Sequence, residues 1–284
     1  MENFTLKVQD LYLKYFGGYL GVDMVSFETN DSIAILGKSL SGKTSLLRCI
    51  AGLEKYDGLI ESNANDIVFS FDINSLNKRK SVKDNIAYPL VLRNEQNVEE
   101  RVLKIAKIFK IDSLLNESIS KLSLSQKRLV ILSRAFVRDA DLYLLDDPLK
   151  DVDDRNEYFK ILLDVIKDKF VIYATTQKDE ALAFNKMLCM SYKRAIGYGT
   201  KEDLLAFPKS VDILKLLTDY EYENIVLNKD GDAYYIEYEN IKYNVSAPIS
   251  DIYVNKEVLF PIMDKKPIIN IYFDKSTEYL ISRM

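Results

Sequence analysis

The run Gly37-Lys38-Ser39-Leu40-Ser41-Gly42-Lys43-Thr44 sets two glycines, a lysine and a hydroxyl residue at the spacing that wraps a backbone around phosphate. Glycine at both ends permits a tight loop whose N–H groups converge on phosphate oxygens, helped by the N-terminus of the helix that follows. Lys43 is placed to reach the β- and γ-phosphates, and the Thr44 hydroxyl to ligate Mg²⁺. The ligand so predicted is a nucleoside triphosphate with Mg²⁺, cradled by Gly37, Lys38, Ser39, Leu40, Ser41, Gly42, Lys43, Thr44 and Ser45. Further along lies Leu142-Tyr143-Leu144-Leu145-Asp146-Asp147-Pro148, an apolar strand ending in acid. Alone it is a weak signal; paired with the loop, it places Asp146 next to the metal.

These residues need elements to hold them. Ser32-Ile33-Ala34-Ile35-Leu36 is a buried-strand pattern feeding Gly37, and Leu46, Leu47, Ile50, Ala51 and Leu53 fall at helical spacing after Lys43. Strand, glycine loop and helix in that order form the setting in which the motif has meaning. Upstream, Leu6–Leu13 and Val22–Phe27 read as strands, and Leu59–Glu61 and Ile67–Phe71 follow the turn at Asp57-Gly58. Residues from about 81 to 138 are mostly helical, with Val102, Ile105, Ala106 and Phe109 on one face and a further helical run over Lys127–Val137. Strands at 142–145, 170–174 and 187–198 alternate with helices, which implies a largely parallel sheet covered on both sides. Past Asp219, short alternating segments and turns at Asp230-Gly231 and Ala247-Pro248 predict a small all-β appendage.

Composition narrows the chemistry. Among 284 residues there is no histidine, which rules out imidazole catalysis and, with only Cys49 and Cys189 far apart, argues against a zinc site. Both cysteines sit in apolar runs and are expected to be buried free thiols of a reducing compartment. The net charge of −4 offers no basic stripe, so the many C-terminal tyrosines read as strand residues and nucleic acid is not an expected partner. The N-terminus lacks a secretion-signal pattern and no run approaches a membrane span, so any membrane role would come through partners.

Between the two phosphate motifs lies Leu122-Ser123-Leu124-Ser125-Gln126-Lys127-Arg128. After them come Lys150-Asp151-Val152-Asp153 and Thr175-Thr176-Gln177-Lys178-Asp179-Glu180-Ala181. In order and spacing the chain resembles the nucleotide-binding subunits of ATP-binding cassette (ABC) transporters over roughly residues 1–218. The resemblance implies an α/β P-loop NTPase fold of the ABC ATPase type. Residues 1–218 would form the nucleotide-binding domain, with a helical subdomain at about 76–138, and 219–284 a small β-rich C-terminal domain. It implies ATP and Mg²⁺ as cofactors, and transmembrane permease subunits as partners. A homodimer or a heterodimer with another ABC ATPase subunit is implied equally. The place would be cytoplasmic, peripheral on the inner face of the cell membrane. By the same resemblance Tyr15, or Phe16 in its stead, stacks on adenine, and Ser123 contacts the γ-phosphate held by the other subunit. Asp153 lies at the dimer seam, and Val82–Leu90 with the segment before it docks the permease.

By the same resemblance the departures from the family pattern fall on both sites of a dimer, Asp147 and Thr176 on one and Leu124 and Ser125 on the other. Leu124 and Ser125 stand where the signature has glycines, whose backbone can approach phosphate closely. Asp147 stands in place of the general-base glutamate, Thr176 in place of the switch histidine, and Asp72 (with Ser70 competing) in place of the Q-loop glutamine. Asp147, Thr176 and Asp72 are therefore the candidate catalytic residues, and Thr44, Asp146 and Asp72 the candidate metal ligands. Such changes predict ATP binding largely intact and slow hydrolysis. The rival reading is a regulatory or structural protein in which ATP clamps a dimer without coupled transport. At the C-terminal end Phe273-Asp274-Lys275-Ser276-Thr277-Glu278 is similar to the closing motif of the β-rich regulatory domain of sugar-importer ATPases.

Overall fold

The computed structural model describes residues 4–70, 72–206, 210–245, 254 and 257–268. The turn expected at Ala247-Pro248 and the motif at 273–278 lie outside them. The chain divides into two compact units, Met1–Ala195 and Ile196–Met284.

The first unit opens with β1 (Leu6–Lys14) and β2 (Leu20–Thr29), then β3 (Ile33–Leu36), α1 (Lys43–Ile50), β4 (Asp57–Ser62) and β5 (Ile67–Ser70). The helical insertion follows as α2 (Val82–Leu92), α3 (Val98–Ile108) and α4 (Leu124–Phe136). The chain then returns through β6 (Leu142–Asp146), α5 (Arg155–Ile166), β7 (Val171–Thr175), α6 (Lys178–Ala181) and β8 (Lys186–Ser191), and β9 (Arg194–Gly199) runs across the division between the units. One sheet runs β5-β6-β7-β3-β8-β9, and a second, antiparallel sheet runs β2-β1-β4. Strands β3, β6 and β7 are buried almost throughout, as central parallel strands covered on both faces must be. By contrast β1 mixes buried and exposed positions, with one face against the core.

Parallel register is what assembles the site. Leu36 pairs with Thr175 and Cys189, and Asp146 pairs with Ala174, so the carboxyl ends of β3, β6 and β7 open onto one edge. Ligand sites of open α/β sheets form at that edge. Behind it, α2, α3 and α4 bury Ile86, Leu90, Val102, Phe109, Leu129 and Leu132 in a core continuous with Tyr143 and Tyr173 of the sheet. Phe136 stacks on Tyr143 with ring centroids 4.9 Å apart. Full burial of each such side chain contributes about 1.5–3 kcal/mol.

Helix α4 begins at Leu124 rather than at Lys127 because Ser123 and Gln126 form a reciprocal capping box that extends the first turn. Cys49 and Cys189 are both free and buried, and burial pushes each thiol up to about 12.

The second unit holds α7 (Lys201–Ala206), α8 (Val211–Leu217), β10 (Glu221–Asp230), β11 (Ala233–Tyr238), β12 (Ile241–Val245), β13 (Glu257–Met263) and β14 (Lys266–Pro267). Its sheet runs β12-β11-β10-β13-β14, each described pairing antiparallel. Leu227, Ile236, Val258 and Phe260 form its core. The division at Ala195–Ile196 falls well before Asp219, where the composition changes, because α7 and α8 pack with the β-rich part. Val211 and Leu214 of α8 bury against Leu205 and Tyr222.

Candidate nucleotide-binding site

The loop after β3 is shaped by close backbone contact. A Cβ at Gly37 would lie 2.5 Å from both the Met190 carbonyl and Ser41 Oγ, so no side chain fits there. Gly42 has φ +106°, a conformation L side chains avoid, and a Cβ there would meet the Gly21 carbonyl at 2.9 Å. Leu40, at φ 65°, turns its side chain out to solvent. The loop is also clasped from β8–β9, where Lys193 donates its backbone N–H to the Ser41 carbonyl at 3.0 Å and its ammonium to the Leu40 carbonyl.

Lys43 is 5% exposed and folds its ammonium inward onto the Gly37 and Lys38 carbonyls, at 2.8 and 3.2 Å. Burial lowers its pKa, against the nearby carboxylates of Asp147 and Asp146, which raise it. The ammonium therefore sits within the loop, where phosphate oxygens would exchange for the carbonyls.

The Thr44 hydroxyl donates to Asp146 Oδ2 at 2.7 Å, which brings the two strongest metal candidates together. Burial raises the Asp146 pKa above the usual carboxylate value, while the Thr44 hydrogen bond opposes the rise. Its Oδ1 is buried without a hydrogen-bond partner among the described residues, as is Ser41 Oγ in the loop. A hydroxyl and one carboxylate with a partnerless oxygen fit Mg²⁺, which favours oxygen ligands and completes its shell with water and phosphate. Among the described residues, no group of three or more His, Cys, Asp or Glu forms a cage for a metal.

Asp147 follows with φ 41°, its N–H donating to the Ala174 carbonyl at 2.9 Å. Its Oδ1 accepts the backbone N–H of Thr176 at 3.0 Å, so two candidate catalytic residues are in direct contact. The contact uses the Thr176 backbone; the Thr176 hydroxyl accepts from Gln177 Nε2.

Asp72 has a different company. Its carboxylate caps the short turn Ile73–Ser75 by accepting the Asn74 N–H at 3.0 Å, and it lies 4.0 Å from the buried Arg128 guanidinium. Arg128 also stands 4.0 Å from Asp151 and donates to the Lys150 carbonyl at 3.2 Å. The structure thus joins Asp72 to α4 and the Lys150–Asp153 segment, while the hydroxyl–carboxylate pair is formed by Thr44 and Asp146. Ser70 is buried at the end of β5, in register with Leu145.

The signature-like residues divide their tasks. Ser123 Oγ accepts the Gln126 N–H at 3.1 Å as the cap of α4. Leu124 is 55% exposed. Ser125 turns inward and accepts the Asp153 N–H at 3.0 Å, so one of the two glycine replacements stitches α4 to the segment after β6. At the opposite side of the loop, the Tyr15 hydroxyl donates to Ser45 Oγ at 3.1 Å, and the neighbouring Phe16 ring is fully exposed.

Arg128, Lys193 and Glu180 belong to this region but were not singled out from sequence. Arg128 lay inside a motif valued for its serine, and Lys193 reaches the loop only through the β8–β9 turn. Glu180 reads as a first-turn helix acid yet is buried, with Tyr173, Thr175 and Arg155 around it.

Comparison with known proteins agrees with this geometry. The family model described as ABC transporter matches residues 22–150. The chain is 31% identical over 229 residues to a sulfate/thiosulfate import ATP-binding protein of Shewanella oneidensis, covering 72% of this chain and 64% of that one. It is 37% identical over 164 residues to an sn-glycerol-3-phosphate import ATP-binding protein of Vibrio vulnificus, covering 52% and 44%. An oligosaccharides import ATP-binding protein of Bacillus subtilis is 31% identical over 227 residues, covering 72% and 62%. The chain thus spans 44 to 64% of the length of these curated relatives. In fold it is similar to a chain of a metal-chelate type ABC transporter in an inward-facing conformation. The TM-score there is 0.64 at 19% identity, covering 92% of this chain and 99% of that one. Residues 22–150 match the ABC transporter family model, and the chain has the ABC ATPase fold and resembles the ATP-binding proteins of sugar and sulfate importers.

Proposed function

We propose that this chain is the ATP-binding subunit of an ABC importer, binding Mg-ATP at a head-to-tail dimer seam and driving transmembrane permease subunits from the cytoplasmic face. The observation that supports it most is the Thr44–Asp146 contact at 2.7 Å, beside a buried lysine inside the glycine loop. Mg²⁺ bound by Thr44 and Asp146 would neutralise charge on the β- and γ-phosphates. Gly37–Ser45 would supply N–H groups, Lys43 a cation, and Ser123 the contact to the partner's nucleotide. Tyr15 orders the loop through Ser45, and the free ring of Phe16 is the better placed of the two to stack on adenine. Asp147, with Oδ1 fixed by Thr176, would take the water proton on Oδ2. Asp72 would act through Arg128, on the link between the permease-facing segment and the dimer seam.

The docking surface lies on α2. Tyr88, Val91 and Leu92 are exposed there, beside a groove lined by Ser75, Pro89 and Arg134. An exposed apolar strip beside a groove is what a membrane subunit's cytoplasmic segment would cover. Asp147 and Thr176 are shorter than the family's usual residues, so ATP should be held firmly and cut slowly.

The test is calorimetric ATP titration with and without Mg²⁺, on wild type and Asp146→Asn, followed by turnover with and without co-expressed permease subunits. Magnesium-dependent binding that Asp146→Asn loses supports the reading. Binding indifferent to both would sink it, and turnover unchanged by every permease tried would favour the clamp reading.

A further inference from the structure

Glu180 is the buried carboxylate that ATP binding does not use. It is 4% exposed, and its Oε2 accepts from the Thr175 hydroxyl at 2.6 Å and from the Tyr173 hydroxyl at 3.0 Å. Its Oε1 takes the Arg155 Nε–H at 2.6 Å. Thr175 Oγ1 in turn accepts the Gln177 N–H at 3.0 Å, so the segment after β7 is pinned on both sides of Thr176. Between those pins the Thr176 N–H meets Asp147 Oδ1. A carboxylate taken out of water costs several kcal/mol unless paired and hydrogen-bonded, and an apolar side chain would fill the same space more cheaply. Here each described bond of the carboxylate goes to the segment that touches Asp147, to the strand beneath it, or to the first residue of α5.

We propose that Glu180 is a positioning residue for Asp147, setting the Thr176 N–H through Thr175 and anchoring that arrangement to α5 through Arg155. The proposal rests on the reading of Asp147 as the group that receives the water proton. Arg155 begins α5 directly after Asp153 and Asp154, so movement of that segment on dimer closure would be transmitted to the base through one carboxylate. Asp147 would then be aligned only when the seam residues are in place.

The experiment compares Glu180→Gln, Thr175→Val and Thr175→Ser with wild type and Asp147→Ala. Two readouts are taken: ATP turnover, and hydrogen exchange of the Thr176 amide followed by NMR. Glu180→Gln and Thr175→Val should lower kcat by about 10–100-fold while KM stays within about threefold, as misalignment by an ångström does. In both, as in Asp147→Ala, the Thr176 amide should exchange about tenfold faster than in wild type as its local protection is lost. Thr175→Ser, which keeps the hydroxyl, should restore both values. Unchanged Thr176 exchange in Glu180→Gln overturns the proposal, and so does a kcat loss that Thr175→Ser shares with Thr175→Val. Undetectable turnover in wild type would instead defeat the hydrolysis reading, and the exchange data would still decide whether Glu180 holds the amide.

Discussion

On one side of the site, from Gly37 to Thr44 with Asp146, the groups offered to the ligand are backbone amides, one cation and two hard oxygens. On the second side, which pairs Asp147 and Thr176 with the Ser123–Asp153 edge proposed to face the partner's nucleotide, side chains bond to backbone within the protein itself. The first side leaves polar atoms for something to arrive: Asp146 Oδ1 and Ser41 Oγ are buried without hydrogen-bond partners among the described residues. The second side is internally satisfied, with Ser125 on the Asp153 amide and Asp147 on the Thr176 amide. Binding chemistry tolerates little change of residue type, because close backbone approach and charge have few substitutes. A surface whose task is to align with a partner can exchange glycine for a side chain if that side chain finds its own bond.

The largest way to break this contrast is Lys43→Ala. Removing the cation proposed to make charge-assisted bonds to the β- and γ-phosphates should weaken ATP binding by about 100-fold or more, read by calorimetry. Retained affinity would mean that the loop does not bind phosphate as supposed. Asp147→Asn should lower turnover by roughly 100-fold with ATP affinity unchanged, which a stopped assay and a titration on the same preparation would separate. Equal turnover would move the base elsewhere. Ser125→Ala should cost about 0.5–1.5 kcal/mol in urea unfolding, because the Asp153 N–H loses its part-buried bond to α4. If Ser125→Gly is as stable as wild type, the second side is looser than described. Ser123→Ala should cost about 1 kcal/mol, seen as a modest fall in Tm, since it removes the cap of α4.

How much of this was legible in sequence follows from the range of each interaction. The glycine loop, the strand before it and the helix after it are contiguous, and their chemistry is carried by residue types with few substitutes. The pairing of Thr44 with Asp146 spans 102 residues yet was foreseeable, since the two motifs are read as ligands of one metal. Ser123 and Gln126 were read for their likeness to a signature, although serine followed three residues later by glutamine is also a helix start. That second meaning explains why α4 begins earlier than the apolar spacing suggests. Asp72 accepts from Asn74 within its own turn and lies 4.0 Å from the buried Arg128 guanidinium, a neighbour that only the fold brings to it. Nothing local distinguishes Glu180 from a solvent-facing acid at the start of a helix; only the sheet register, which sets Tyr173 and Thr175 beneath it, makes it interior. The division at Ala195–Ile196 is not marked locally, for a similar reason. Helices α7 and α8 follow the ATPase strands in sequence but bury their apolar face on Tyr222.

The two buried cysteines have a practical consequence. With both thiols shielded and pushed up to about 12, they remain protonated at neutral pH and are poor targets for alkylating dyes. A single cysteine introduced at exposed Leu124 would therefore be the reactive position in an otherwise unaltered background. Fluorophores attached there on two copies of the chain would report, by energy transfer, whether ATP brings their signature edges together.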